Sequence, residues 1–453
     1  MYAQVAVENV NCTFDKDYDY SIPQQLEGKA LVGCRVAVPF GIGNRKRIGI
    51  ITRLTDSTQG KRIKSISAVL DEAPLLSNEM MSLARWISEQ TFCTYYEAVK
   101  AMLPAGINHK IIRSFCAVPG VDESIVASLD SDEKQVYDYL LSRSGYVKPE
   151  NFLKTLGFDV SSDIPERLLK AGLLAANDDA VRNIGDNNIR MVRLCEGSDD
   201  VSMTKKQSEV VNVLKDVGSV SVKELCYFTG YTPSVISALE KKSVVECFER
   251  EELRSFVSRY AVRSAYDSGE IHLTDEQQKA YDGLLEDYKS GTGKTALLYG
   301  VTGSGKTSVY LKLIDAVLAD NKTAIVMVPE ISLTPQTLSV FHSRYNDGVA
   351  VFHSALSAGE RADEWKRVKN GDAKIVIGTR SAVFAPLENI GLIIIDEEQE
   401  HTYKSEQTPR YNAKSVARYR AAWHKGLTLL ASATPSVESF AALLCRDNDN
   451  IFF

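Results

Sequence analysis

The sequence predicts a multidomain α/β protein with three kinds of part: a small β-rich N-terminal domain, winged-helix modules, and a phosphate-loop α/β lobe. Three observations carry that prediction. Residues 297–312, LLYGVTGSGKTSVYLK, set the pattern G-x-x-x-x-G-K-[ST] between an apolar run and a helical pattern. Beyond it, buried-type runs such as TAIVMV (323–328) and IVIG (375–378) recur with helical segments between them, the rhythm of a parallel sheet. Before it, residues 2–54 hold short segments that alternate apolar and polar with period two.

A chain of 453 residues accommodates about three domains at ~150 residues each. The boundaries expected are 1–105, 106–200, 201–270 and 271–453. Net charge is −6 with an isoelectric point near 5.7, so no global basic field advertises a polyanion and any such contact must be local. The eight cysteines (12, 34, 93, 116, 195, 226, 247 and 445) include no C-x-x-C pair. That argues against a zinc site and a disulfide framework, and for a reduced, cytoplasmic protein. The N-terminus has early acids and no long apolar core, which is unlike a signal peptide, and no run of 18 apolar residues suggests a membrane span.

In the first domain, strands are expected at 2–7, 30–39 and 46–54, with helical spacing over 75–88. Asp17-Tyr18-Asp19-Tyr20 and Gly41-Ile42-Gly43-Asn44 read, on their own, as turns and strand edges. Residues 132–142, 149–156 and 162–171 give three helical patterns, followed by an Ala-Asn-Asp-Asp loop and a polar connector over 180–200. A similar plan recurs from Lys205 to Phe248. There Thr232 is placed as an N-cap with Pro233 at the first helical position, Ser234–Lys241 as a recognition-type helix, and VVECF as the start of a wing. Lys241 and Lys242 are offset by Glu240, Glu246, Glu249, Glu251 and Glu252, which leaves a weak duplex contact and a protein-facing module equally open.

In the last domain the strand is expected at Ala296–Tyr299 and the helix from Thr307. Glycines at 300, 303 and 305, with Ser304, let backbone N–H groups wrap a polyphosphate. Lys306 then reaches the β- and γ-phosphates and the Thr307 hydroxyl ligates Mg²⁺. A near-copy upstream, Ser290–Thr295 (SGTGKT), lacks the first glycine and a preceding strand and reads as a linker. The apolar run Gly391–Ile395 ends in Asp396-Glu397-Glu398-Gln399, and Leu427–Leu430 ends in Ser432-Ala433-Thr434-Pro435. Paired acids at a strand end, downstream of a phosphate loop, suit a Mg²⁺ shell and an attacking water.

These pieces resemble the primosomal protein N′ (PriA) family of replication-restart helicases in superfamily two. The likeness runs through Asp17–Pro23, Gly33–Val36, Val38–Gly41 and Arg47–Ile50, then Leu273–Gln277, Pro329–Gln336, His353–Ser357, Trp365 and Ile375–Ala382. It implies a RecA-like first helicase lobe and an N-terminal domain that cradles the 3′ end of a nascent leading strand between Tyr18, Asp19, Gly41 and Lys64. It further implies adenine recognition by Gln277, a DNA phosphate on Arg380, and an aromatic loop with Tyr403, Lys404, Arg410 and Tyr411 that senses single-stranded DNA. Asp396 would hold Mg²⁺ and Glu397 the water. Gln399 departs from the family's usual histidine; a glutamine can bridge by hydrogen bonds but cannot titrate.

The resemblance implies an ATP-dependent 3′-to-5′ DNA helicase of replication restart that uses ATP and Mg²⁺. The implied partners are forked DNA with a leading-strand 3′ end, single-stranded DNA, single-strand-binding protein and primosome loader proteins, with no membrane. A complete relative carries a second lobe with an arginine finger, a cysteine-rich zinc insertion and a C-terminal domain, none of which these residues supply. The expectation is therefore a truncated form that binds fork DNA and nucleotide without unwinding alone, and without zinc. The alternatives are a winged-helix DNA-binding regulator with a nucleotide-switch domain, and a non-helicase P-loop enzyme such as a kinase.

Overall fold

The computed structural model describes residues 1–11, 13, 15–41, 43–58, 60, 62–107, 109–121, 125–126, 128–143, 145–182, 188–195, 202–251, 271–444 and 450–452. The chain forms two compact units: Met1–Asn183 with Tyr260–Phe453, and Ile184–Arg259.

The first unit begins with β1 (Tyr2–Val7), β2 (Tyr18–Ser21), β3 (Arg35–Phe40), β4 (Arg45–Thr55), β5 (Lys64–Ser65) and β6 (Ala68–Val69). They make one sheet in the order β5-β2-β1-β4-β3-β6. Alternation sends Ala3, Val5, Val36, Val38 and Ile51 into a shared core. The expected strand over 30–39 starts later, at Arg35, because Leu31–Cys34 is a turn closed by the Cys34 N–H on the Leu31 carbonyl. Helix α1 (Asn78–Thr91) is capped by Ser77, and α2 (Tyr95–Met102) by a Thr94/Glu97 capping box.

Strand β7 (His109–Ala117) follows, then α3 (Ser131–Leu141), α4 (Pro149–Leu156), α5 (Ile164–Lys170) and β8 (Leu174–Arg182). The three helices bury Val136, Leu140, Phe152, Leu153 and Leu168 against Phe115. Here the sequence reading needs correction. Residues 176–179 are not a loop, and Ala180–Arg182 is not connector, since both lie in β8, paired antiparallel with β7. Arg113 draws Asp178 into the ribbon through a 2.7 Å ion pair, which makes an acidic segment tolerable there.

The second unit holds β9 (Asn188–Leu194), α6 (Lys205–Val217), β10 (Ser219–Ser221), α7 (Val222–Thr229), α8 (Pro233–Lys241) and β11 (Val245–Glu251). Its sheet runs β10-β9-β11 around Val192, Leu214, Leu225, Ile236 and Leu239. Thus a second part of the expected connector is a strand, while 183–187 and 196–200 lie outside the described residues. Thr232 is extended, as an N-cap should be, but its hydroxyl meets Ser234 Oγ and makes no cap bond, and the helix opens at Pro233. Glu240 and Glu246 are bonded to Arg190 and Arg193, so much of the acidity around α8 is already paired.

The first unit resumes with α9 (Asp275–Lys289), β12 (Thr295–Tyr299), α10 (Lys306–Ala319), β13 (Thr323–Met327), α11 (Pro335–Tyr345), β14 (Val349–Phe352), α12 (Ala358–Lys369) and β15 (Ile375–Gly378). It ends with β16 (Ile390–Asp396), α13 (Ala413–His424), β17 (Leu427–Ser432), α14 (Val437–Leu444) and β18 (Asn450–Phe452). Seven parallel strands stand in the order β14-β15-β13-β16-β17-β12-β18. Central strands buried on both faces explain their continuous Ile, Leu and Val runs.

The N-terminal domain and this lobe share one core. Leu83, Ile87 and Met102 of α1 and α2 pack with Trp365, Phe384, Val416 and Ala421. Polar groups reinforce the junction. Glu79 accepts from Arg420 at 2.6 and 2.9 Å, and Lys369 donates to the carbonyls of Pro74 and Leu75.

Candidate nucleotide and nucleic-acid site

Parallel strands put all their carboxyl ends on one rim, and the phosphate loop, Asp396–Gln399 and Ser432–Thr434 stand there at the ends of β12, β16 and β17. In the loop after β12, Gly303 and Gly305 both have φ +81°, a left-handed conformation suited to glycine. A Cβ on Gly300 would stand 2.7 Å from Ser304 Oγ, and one on Gly305 would stand 2.3 Å from Gln277 Nε2. Gly305 is the N-cap of α10, which leaves that helix's first N–H groups facing the loop. Lys306 Nζ donates to the carbonyls of Gly300 (2.7 Å) and Val301 (3.1 Å), folded back over the loop it would serve. Thr307 is exposed on the first helical turn.

Gln277 is placed differently from expectation. Its Oε1 accepts the Thr274 N–H at 3.0 Å, its own N–H donates to Thr274 Oγ1, and its Nε2 donates to the Ser304 carbonyl at 2.8 Å. The T-x-x-Q capping box commits the amide to starting α9 and bracing the phosphate loop rather than displaying an edge to adenine. The upstream near-copy is a packed connector. Lys294 is paired with buried Asp287 at 2.8 Å, and Thr295 already belongs to β12.

The acids stand across the rim at the end of β16. Burial, with the Glu397 carboxylate beside it, pushes Asp396 up to about 6. Glu397 takes φ +46° and donates its N–H to Asp396 Oδ1 at 3.1 Å. Gln399 joins Glu397 to Ser432. Its Nε2 donates to Glu397 Oε2 at 2.8 Å and its Oε1 accepts from Ser432 Oγ at 2.6 Å, linking β16 to β17. Glu398 turns inward. Burial opposes its charge, but Lys414, the Ser436 N–H and Ser439 Oγ hold it below the usual carboxylate range.

The expected single-strand loop divides in two. Tyr403 is 1 % exposed, its hydroxyl donating to the carbonyls of Asp396 (2.6 Å) and Met327 (3.1 Å). Tyr411 is buried edge-on against Phe384 at 4.8 Å. Neither ring is presented for stacking, because both fill the core beneath the rim. Lys404 and Arg410 are exposed on the same loop. Arg380 donates to the carbonyls of Thr402 (3.1 Å) and Lys404 (2.5 Å), so it shapes this loop through its backbone.

At the N-terminal sheet, Lys64 Nζ donates to the Gly41 carbonyl at 2.6 Å, and Tyr18 packs edge-on against Phe40 at 5.0 Å. Asp19 points the other way across the strand, accepting from Gln4 (3.3 Å) and Thr58 (2.6 Å). The structure therefore gathers Tyr18, Gly41 and Lys64 on one side of β2 and Asp19 on the other.

Sequence reasoning passed over Glu79, Arg420 and the Arg35–Asp71 pair. Arg420 has no exposed surface and also donates to the carbonyls of Val383, Ala385 and Leu387. An arginine within an amphipathic helix reads as surface, and no local signal marks it as a junction residue. Among the described residues no group of three or more His, Cys, Asp or Glu could hold a metal ion, and no helix is long and apolar enough to cross a membrane.

A parallel sheet with phosphate loop, paired acids and Ser-Ala-Thr on one rim defines the nucleotide-binding lobe of a helicase. Residues 274–443 match the DEAD/DEAH box helicase family, and residues 4–104 match the PriA 3′DNA-binding domain. The replication restart protein PriA of Bacillus subtilis is 36% identical over 97% of this chain and 54% of its own length. That of Synechocystis is 32% identical over 95% and 52%, and that of Treponema pallidum 45% identical over 45% and 30%. Over nearly its whole length the chain is similar to PriA replication restart proteins, and it spans about half the length of these long-matching relatives.

Proposed function

We propose that this chain is the fork-binding and nucleotide-binding half of an ATP-dependent 3′-to-5′ DNA helicase of replication restart, serving primosome assembly at stalled or forked DNA. The observation that carries the reading is the core shared by a domain that matches the PriA 3′DNA-binding domain and a lobe that matches the DEAD/DEAH box helicases, which would couple a fork contact to the nucleotide rim.

The residues fit a magnesium nucleotide. The glycine cradle excludes side chains where phosphates would lie, and the raised Asp396 is a carboxylate whose charge a cation would restore. Thr307 and Asp396 would hold Mg²⁺, which supplies positive charge to the phosphate oxygens. Lys306 exchanges the Gly300 and Val301 carbonyls for phosphate oxygens. Glu397 orients the attacking water and accepts its proton, held in place by Gln399, which relays its position to Ser432 without titrating. Tyr403 ties the Lys404–Arg410 loop to the Asp396 carbonyl, so a strand bound on Lys404 and Arg410 would press on the acid's backbone.

For the 3′ end, Tyr18 and Lys64 would flank the terminal nucleotide, with Gly41 admitting its backbone, while Asp19, on the opposite side of β2 and already accepting from Gln4 and Thr58, would meet the terminal hydroxyl only if the end passed around the strand. Single-strand-binding protein and primosome loaders are the protein partners in this reading. The test is competition between a fork with a free leading-strand 3′-hydroxyl and the same fork 3′-phosphorylated. Preference for the free end, weakened in Lys64→Ala, is expected. Equal affinity would defeat the 3′-end assignment, and a duplex sequence preference residing in Ile184–Arg259 would favour the winged-helix regulator. In parallel, Lys306→Ala should abolish binding of a fluorescent ATP analogue while the fork is still bound.

A further inference from the structure

A cavity of about 320 Å³ opens where α2 meets the ends of β14 and β15, and none of its lining residues belongs to the phosphate loop or to Asp396–Gln399. Its apolar wall is Met102, Leu103, Phe352, Trp365 and Phe384, and Lys100, His353 and Arg361 stand among them. Its volume lies at the lower end for small-ligand pockets, about 300–1,000 Å³.

Two donors there lack acceptors. Trp365 is 2 % exposed, and its indole N–H has no hydrogen-bond partner; Arg361 Nε is likewise buried and unpartnered. Buried donors without partners cost free energy, and a site that keeps two of them is suited to a ligand bringing acceptors. The His353 ring accepts the Ala355 N–H at Nδ1, which leaves Nε2 as its donor. No carboxylate is among the lining residues, so the electrostatics favour an anion. Phe352 closes β14 and His353 follows it, while Ser381 and Phe384 follow β15, so the pocket opens on the rim where Arg380 and Lys404 lie.

We propose that this cavity takes one unstacked nucleotide of single-stranded DNA, with the base against Phe352, Phe384 and Trp365 and the phosphate between Lys100 and Arg361. Aromatic walls suit a π-face, unpartnered donors suit ring and carbonyl acceptors, and cations suit the backbone. The inference rests on the single-strand reading above and adds a place for one base where that reading had only exposed cations.

The test uses the 453-residue chain with Trp86→Phe and Trp423→Phe, so that Trp365 is its sole tryptophan. Thymidine oligonucleotide is titrated, with Trp365 emission and anisotropy of a labelled oligonucleotide read together. Saturable quenching of Trp365 that tracks anisotropy is expected, with affinity about tenfold weaker in Arg361→Gln and in Lys100→Ala. Trp365→Phe, which keeps an aromatic ring in the wall but removes the indole N–H, provides a second variant that should fold and also bind more weakly. Oligonucleotide binding with unmoved Trp365 emission and unaltered variant affinities would overturn the pocket and leave the single-strand reading standing. Absence of any oligonucleotide binding would overturn both. Quenching by an acidic peptide but not by oligonucleotide would assign the cavity to a protein ligand and overturn the proposal.

Discussion

Replacing Glu79 by Gln should loosen the junction between the N-terminal domain and the helicase lobe more than its single changed atom suggests. Glu79 is nearly fully buried, and burial alone would raise its pKa, but Arg420 outweighs that and lowers it to about 2. Arg420 binds both carboxylate oxygens, at 2.6 and 2.9 Å, and His424 Nε2 stands 3.4 Å from Oε2 without hydrogen-bond alignment. A drop from the ordinary 4.5 to about 2 corresponds to about 3 kcal/mol favouring the charged, folded form. Removing one member of a buried pair independently suggests ~3–5 kcal/mol, because the remaining charge stays buried without its partner. Paired apolar replacement would not rescue the site, since the carbonyls of Val383, Ala385 and Leu387 would lose their donor as well. The assay is guanidinium unfolding at pH 7 with limited proteolysis of the junction, and Arg190→Gln, which breaks an exposed pair, as the comparison. Glu79→Gln should lose about 3 kcal/mol and become cleavable near α1, and the comparison should lose under about 1 kcal/mol. The sign with pH follows from the depressed pKa. The contribution is complete above pH 4.5 and is lost as the pH falls towards 2. A loss below about 1 kcal/mol in Glu79→Gln would refute the assignment of Arg420 as a junction lock.

Asp396 shows the opposite sign. Its pKa is raised from 3.8 to about 6, so the folded chain keeps a proton that the unfolded chain releases, and stability present near pH 4 is lost as the pH rises through 6. Asp396→Asn should therefore stabilise the chain by about 3 kcal/mol at pH 8 and little at pH 4, measured by thermal unfolding, while removing Mg²⁺-dependent nucleotide binding. Tyr403→Phe removes two hydrogen bonds to backbone carbonyls beneath the rim. It should cost about 1–2 kcal/mol in denaturant unfolding and leave the affinity of fluorescent ATP analogues within about twofold.

The sequence by itself determined where the lobe's loop and acidic motifs stand. Gly300–Thr307 and Asp396–Gln399 are contiguous segments whose local geometry follows from glycine freedom, a helix start and a strand end, so their placement is legible without knowing what packs on them. The helices 149–156 and 205–217, bounded by Pro149, Gly157, Thr204 and Gly218, were legible for the same reason. Tertiary structure decided what depends on distant partners. Asp178 enters a strand because Arg113 meets it across 65 residues of chain, and Gln277 braces the phosphate loop through Ser304. Tyr403 and Tyr411, which read as stacking rings because they neighbour Lys404 and Arg410, are core because β13, β16 and Phe384 close over them. Arg420 was the least legible of all. Its meaning lies in Glu79, 341 residues away, and a helical arginine is the same letter whether it faces water or joins two domains.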